Sequence, residues 1–90
     1  MTLLEIKRLL RHGKYAWPGG YPMFFVTADG AALSFEAVRQ EWRNVVDAHL
    51  RSDRRCGWYV EAADVNWEDG ELVCDHTGER IESAYGEDSQ

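Results

Sequence analysis

Ninety residues with 44% apolar content and a net charge of −6 form one domain, which buries about two-thirds of the surface its unfolded chain exposes. No apolar run approaches the roughly 18 residues of a membrane span. The leucines of the opening MTLLEIKRLLRHG are threaded with Glu5, Lys7, Arg8, Arg11 and His12, which excludes a secretion signal and points to a cytoplasmic protein whose two cysteines are free thiols.

In chain order, TLLE at residues 2–5 has the form of a capping box. Thr2 caps a helix and Glu5 reaches back. Leu3, Ile6, Leu9 and Leu10 fall on one side of that helix, and Gly13 stops it. KYAWPGGYP holds two prolines and two glycines and reads as irregular. MFFVT (Met23–Thr27) reads as a buried strand closed by Asp29–Gly30. The next segment, SFEAVRQEWRNVVDAHL, predicts one long helix capped by Ser34. Its stripe of Phe35, Val38, Trp42, Val45, Val46 and His49 faces the core, and Trp42 is expected to be buried there with Phe24, Phe35, Val38 and Val65.

In WYVEAADVNWE, Trp58, Val60 and Ala62 alternate in one phase and Ala63, Val65 and Trp67 in the other. That switch predicts a β-bulge or burial on both faces. Glu68–Gly70 reads as a hairpin turn, ELVCD as the returning strand, and TGE as a further turn. The expected fold is α+β: an antiparallel sheet of about three strands packed against one long helix, with an N-terminal helix before it. It spans residues 1–85, with a flexible acidic tail at 86–90.

Charge is unevenly spread. Residues 1–55 carry +3 and residues 56–90 carry −9, with ten acids against the single Arg80. If the strands alternate, Glu61, Asp64 and Glu71 lie outward beside inward neighbours, and the segment from Trp58 to Asp75 has no Lys or Arg. Such a carboxylate face suits a basic partner surface. The expected contact residues are Glu61, Asp64, Trp67, Glu68, Asp69, Glu71, Asp75, Glu79 and Glu82, with Trp67 or Tyr59 as the apolar anchor. The basic residues Lys7, Arg8, Arg11 and Lys14 precede Tyr15 and Trp17, an interleaving that can track a phosphate backbone. The acidic net charge and a pI near 4.9 argue against direct nucleic-acid binding.

Catalytic constellations are weak. A Cys74–His76 nucleophile pair lies in the most acidic part of the chain, where a thiolate is disfavoured. Ser34 with His49 serves better as a cap and a core-stripe residue. The carboxylate pairs Glu68–Asp69 and Glu87–Asp88 have no apolar pocket to separate their pKa values. The reading is a protein that is not an enzyme and needs no cofactor. For a metal, Cys74 and His76 are the weak candidates, with Cys56 and His49 as remote additions whose spacing does not suit structural zinc.

The strings YPMFFVTADGAALSFEAV and GWYVEAADVNWEDGELVCDHTGERIESAYGED resemble a family of small uncharacterised proteins of phages, integrated elements and plasmids, over roughly residues 15–88. The most specific part is VNWED, then L.C.H, then IESAY.ED. Many relatives resemble a four-cysteine zinc module whose paired positions fall here on Ser34 and Ala37, and on Cys74 and Thr77. Only Cys74 retains a thiol, so the resemblance implies a zinc knuckle that has lost its metal chemistry. It also implies a mobile-element setting. The functional expectation is an accessory protein that binds a host protein, of the kind that inhibits a defence complex such as a CRISPR effector by occupying its basic nucleic-acid channel. The alternative is a degenerate zinc-ribbon adaptor that binds nucleic acid or a partner through its basic N-terminal half.

Overall fold

A computed structural model describes residues 1–16 and 20–85. Trp17 and the acidic tail expected at 86–90 lie outside them. Helix α1 spans Leu3–His12 and starts on the capping box read from the sequence. The Glu5 N–H donates to the Thr2 hydroxyl at 3.1 Å and the Thr2 N–H donates to the Glu5 carboxylate at 2.7 Å, satisfying two amides that a helix start otherwise leaves bare. The helix ends at Gly13, whose φ of 104° suits a residue without a side chain.

Strand β2 (Tyr21–Thr27) is the centre of the sheet. It pairs antiparallel with β4 (Val60–Val65) and with the short strands β1 (Tyr15–Ala16) and β3 (Ala32–Leu33). Successive strand residues aim their peptide groups at opposite edges. The Pro22 carbonyl accepts from Asn66 beyond β4, while the Met23 N–H donates to Lys14 beside β1. So β4 runs along one edge of β2, and β1 and β3 share the other, end to end. The expected phase change is a bulge: Val26 faces Ala62 but Thr27 faces Val60, which skips Glu61.

The α+β architecture with its antiparallel sheet and N-terminal helix is as expected, with two differences of detail. The long helix is interrupted at Glu41 into α2 (Phe35–Gln40) and α3 (Trp42–Arg51). There ψ turns to 31°, and the Asn44 side-chain amide holds the Glu41 carboxylate at 2.7 Å. The break lets α2 bury Phe35, Ala37 and Val38 while α3 buries Val45 and Ala48. The second difference is in ELVCD, which does not return along β4. β4 pairs with β2 instead, and Val73 makes an isolated bridge to Arg80 across the following turn.

One core collects Ile6, Phe25, Leu33, Phe35, Ala37, Val38, Val45, Val60, Cys74 and Ile81. At its centre the rings of Phe25 and Phe35 stack at 4.4 Å. The expected core membership is corrected at three places. Phe25 is the fully buried phenylalanine of β2, whereas Phe24 and Trp42 are half-buried at the margin of the core and Val65 is half-buried. Trp42 lies between the buried Val38 and Val45 on the helical stripe but lines a groove with Lys7, Leu10 and Arg11 of α1.

Candidate functional site

The register that pairs Met23 with Val65 continues past the end of the ladder and sets Tyr21 beside Trp67. Their ring centroids lie 4.7 Å apart, tilted at 53°. The last segment then folds back: Ala84 donates to the Asn66 carbonyl and Tyr85 to the Trp67 carbonyl, both at 2.8 Å. This brings the Tyr85 ring parallel to Trp67 at 6.3 Å and within 6.4 Å of Tyr21. Trp67 is 46% exposed and Tyr85 51%. Three aromatic rings at one end of the sheet thus form a platform that backbone hydrogen bonds hold together and that is open to solvent.

The residue that builds this platform is Asn66, which is 4% exposed. Its side-chain NH2 donates to the carbonyls of Asp69, Ile81 and Glu82 at 3.0, 3.3 and 3.1 Å, and its side-chain oxygen accepts from the Asp69 N–H at 3.2 Å. Its own N–H donates to Pro22. One amide therefore ties the end of β4, the 67–71 turn and the C-terminal segment to β2. Asn66 does not stand out in the sequence. The only signal for it is an amide standing between a strand and a turn in VNWED, where asparagine commonly bonds nearby backbone.

The expected contact residues separate into groups. Trp67, Glu68, Asp69 and Glu71 share the turn beside the platform. Glu68 and Glu71 are exposed and make no ion pair among the described residues. Asp69 is structural as well, because its carboxylate accepts the Glu71 N–H at 2.9 Å. Glu82 accepts the Tyr15 hydroxyl at 2.6 Å, a bond that, with neighbouring negative charge and burial, raises the Tyr15 pKa above its ordinary value. Asp75 and Glu79 belong to the second turn; the Asp75 N–H donates to Ala32, and the Glu79 carbonyl accepts from Cys74. Asp64 pairs across to Phe24, on the opposite face of the sheet from Met23, Phe25 and Val65. Glu61 sits at the bulge and pairs with Arg54 at 3.3 Å. The continuous rows of carboxylates expected on a hairpin are therefore not formed, because the second strand of that hairpin does not lie beside β4. Tyr59, the other expected anchor, is half-buried: His49 stacks on its ring at 4.2 Å and the Arg54 guanidinium packs on it at 4.8 Å.

Cys74 and His76 part company. The Cys74 side chain is 1% exposed, whereas His76 lies edge-on to Trp58 at 4.9 Å and its Nε2 is 3.6 Å from the Glu41 carboxylate. Around the Cys74 sulfur stand the positions that the resemblance paired with it. The Ser34 N–H donates to Sγ at 3.4 Å, and the Ala37 N–H donates to the Ser34 hydroxyl at 3.1 Å. Burial pushes the thiol pKa up, but hydrogen bonds with Ser34 and Thr77 outweigh it and hold the group below its ordinary 9.0. The expectation that acidic surroundings set this thiol is thereby corrected; its immediate neighbours are hydroxyls and amides.

One thiol, two hydroxyls and an alanine methyl do not make the four N/S donors that structural zinc requires. Among the described residues no group of three His, Cys, Asp or Glu side chains is placed to hold a metal ion. Cys56 is exposed, its sulfur on the Asp53 carbonyl, and it does not join His49. Elemental analysis of the purified protein is expected to find no stoichiometric zinc, and chelator is expected to leave the melting curve unchanged. One zinc per chain, or unfolding in chelator, would refute this.

His49 carries a different consequence. Its Nε2 is buried without a hydrogen-bond partner among the described residues. Burial is the main cause holding its pKa below the ordinary 6.5, assisted by the positive N-terminus and opposed by a hydrogen bond with the Val60 backbone. The unfolded chain therefore takes up this proton first as pH falls. Stability contributed by neutral His49 is present above about pH 6.5 and is lost as pH drops toward the folded value. Thermal melts are expected to show a lower Tm at pH 5 than at pH 7, and His49→Phe is expected to flatten that difference. An unchanged slope in the variant would exclude His49 as its source.

Compared with family models, curated proteins and solved structures, the chain finds no match in any of the three. Among the described residues no helix is long and apolar enough to cross a membrane.

Proposed function

We propose that this chain is a cytoplasmic binding protein whose aromatic platform and surrounding carboxylates dock on a basic surface of a partner protein. The observation that carries the reading is the position of Trp67 and Tyr85, large rings left half exposed within residues 56–90, which bear −9. Exposed tryptophan and tyrosine that are already held in place lose little freedom on binding, which is why such residues dominate interface energies. Glu68 and Glu71 beside them are exposed and hold no cation among the described residues, so their charge is open to a partner. A carboxylate surface of this kind competes for the Lys/Arg surface that a nucleic acid would occupy.

In its fuller form the proposal is an inhibitor. The protein shields the nucleic-acid channel of a host defence complex, in the mobile-element setting that the sequence resemblance implies. It acts by occupancy and uses no catalytic group. The test is partner capture by the wild type and by a variant carrying Trp67→Ala, Glu68→Lys and Glu71→Lys, with duplex DNA as competitor. The proposal expects capture that DNA competes away and that the variant loses. Equal capture by both proteins would overturn it.

A further inference from the structure

The opposite sign of charge gathers elsewhere, in a groove between α1 and the α2–α3 junction. The groove has a volume of about 310 Å³ and is lined by Lys7, Leu10, Arg11, Arg39 and Trp42. Lys7 and Arg11 stand four residues apart on α1, so they share one helix face, and Leu10 lies on the same side of the helix. Arg39 reaches across from α2 and donates to the Leu10 carbonyl at 2.6 Å. That bond fixes its guanidinium at the groove while leaving further N–H donors for an incoming acceptor. Leu10 and Trp42 are each half-buried at the margin of the core and supply an apolar floor. None of the three cations has an ion-pair partner among the described residues.

We infer that this groove is a second binding site, and that its ligand is an acidic amphipathic segment of a partner protein. Such a segment would seat an apolar side chain between Leu10 and Trp42 while its carboxylates meet Lys7, Arg11 and Arg39. An open groove with an apolar floor and charged rims is the form that recognises short amphipathic segments, and Arg39 offers a planar fork suited to a carboxylate. A nucleic acid fits less well. Its phosphates call for a longer basic track, and the domain as a whole carries −6, which opposes a polyanion. A short peptide brings few charges and gains from the floor as well as the rim. The site is independent of the aromatic platform and stands or falls separately from the function proposed for it. With both in place, the chain would bridge a basic and an acidic partner.

The test uses three fluorescent probes on the full chain: a peptide of alternating glutamate and leucine, its lysine–leucine counterpart, and a short DNA duplex. Anisotropy is expected to show saturable binding of the glutamate peptide alone. Lys7→Glu with Arg11→Glu should weaken that binding about tenfold with an unchanged melting curve, and the milder Lys7→Gln with Arg11→Gln should weaken it less. Trp67→Ala should bind the peptide as wild type does, which separates this site from the platform. Stronger binding of DNA or of the lysine peptide, or wild-type affinity in both pairs of groove variants, would overturn the inference.

Discussion

Asn66→Ala is expected to cost about 3–5 kcal/mol, enough to unfold much of a domain whose total stability is of the order of 5–15 kcal/mol. The substitution removes four side-chain hydrogen bonds at once and leaves three carbonyls and one N–H to find new partners. Each buried polar group left without one costs about 1–3 kcal/mol, and groups that reach water on relaxing cost less. Asn66→Asp is expected to be no rescue, because a carboxylate would face the carbonyls of Asp69, Ile81 and Glu82 without protons to donate. The denaturant midpoint measures the loss. Because Asn66 ties the platform's elements together, near-ultraviolet circular dichroism should lose its tryptophan and tyrosine signal earlier in the titration than far-ultraviolet signal is lost. A midpoint within about 1 kcal/mol of wild type would mean that the amide is not the tie described here.

The second large effect falls on binding. Trp67→Ala alone is expected to weaken partner capture by about 2 kcal/mol, roughly thirtyfold, as for a central aromatic anchor. Adding Glu68→Lys and Glu71→Lys should abolish measurable capture, since each reversal replaces attraction by repulsion against a basic surface. Binding that survives in the single Trp67 variant should still weaken with salt, because the carboxylates remain; in a variant carrying Glu68→Lys and Glu71→Lys with Trp67 kept, the residual binding should lose that dependence. The fold should be retained in all of them. Trp67 is 46% exposed, and both glutamates are exposed and form no ion pair among the described residues. Asp69 is deliberately left in place, because its carboxylate caps the Glu71 N–H and its backbone meets Asn66. Reversing it would confuse loss of the turn with loss of charge.

What the sequence makes legible is largely what short-range physics decides. The capping box at Thr2 and Glu5, the Ser34 cap, the stop at Gly13 and the apolar run of β2 are each set within a few residues. The bulge is legible too, because a period of two that changes phase has few explanations, although the skipped residue is Glu61, one before the expected switch. Pairing across long separations is not. ELVCD follows a turn signal and alternates well enough to be a returning strand along β4, but its end is taken up at β3, on the far side of β2. Cys74 is instead drawn inward, and Asp75 bonds to Ala32. The break at Glu41 leaves no trace in the periodicity, since Val38, Trp42 and Val45 continue one stripe. The same limit applies to the candidate site. Trp67 and its neighbouring acids can be picked out by composition. Tyr21 and Tyr85, 64 residues apart, join Trp67 only through the β2–β4 register and the bonds of Asn66, Ala84 and Tyr85. Glu61 and Asp64 show the converse: acids close in sequence to Trp67 that the bulge and the strand alternation direct elsewhere.

The central claim is that Trp67 lies at the heart of a protein interface. A photo-cross-linking phenylalanine analogue placed at position 67, with a second at Leu50 as the comparison, tests it most directly. Leu50 is 75% exposed and lies on α3 next to Arg51. Irradiation in host cells is predicted to join position 67, and not position 50, to a nucleic-acid-binding protein with a basic surface, and excess duplex DNA added to the lysate before irradiation should suppress the adduct. Adducts formed equally from both positions, or none from position 67, would contradict the account.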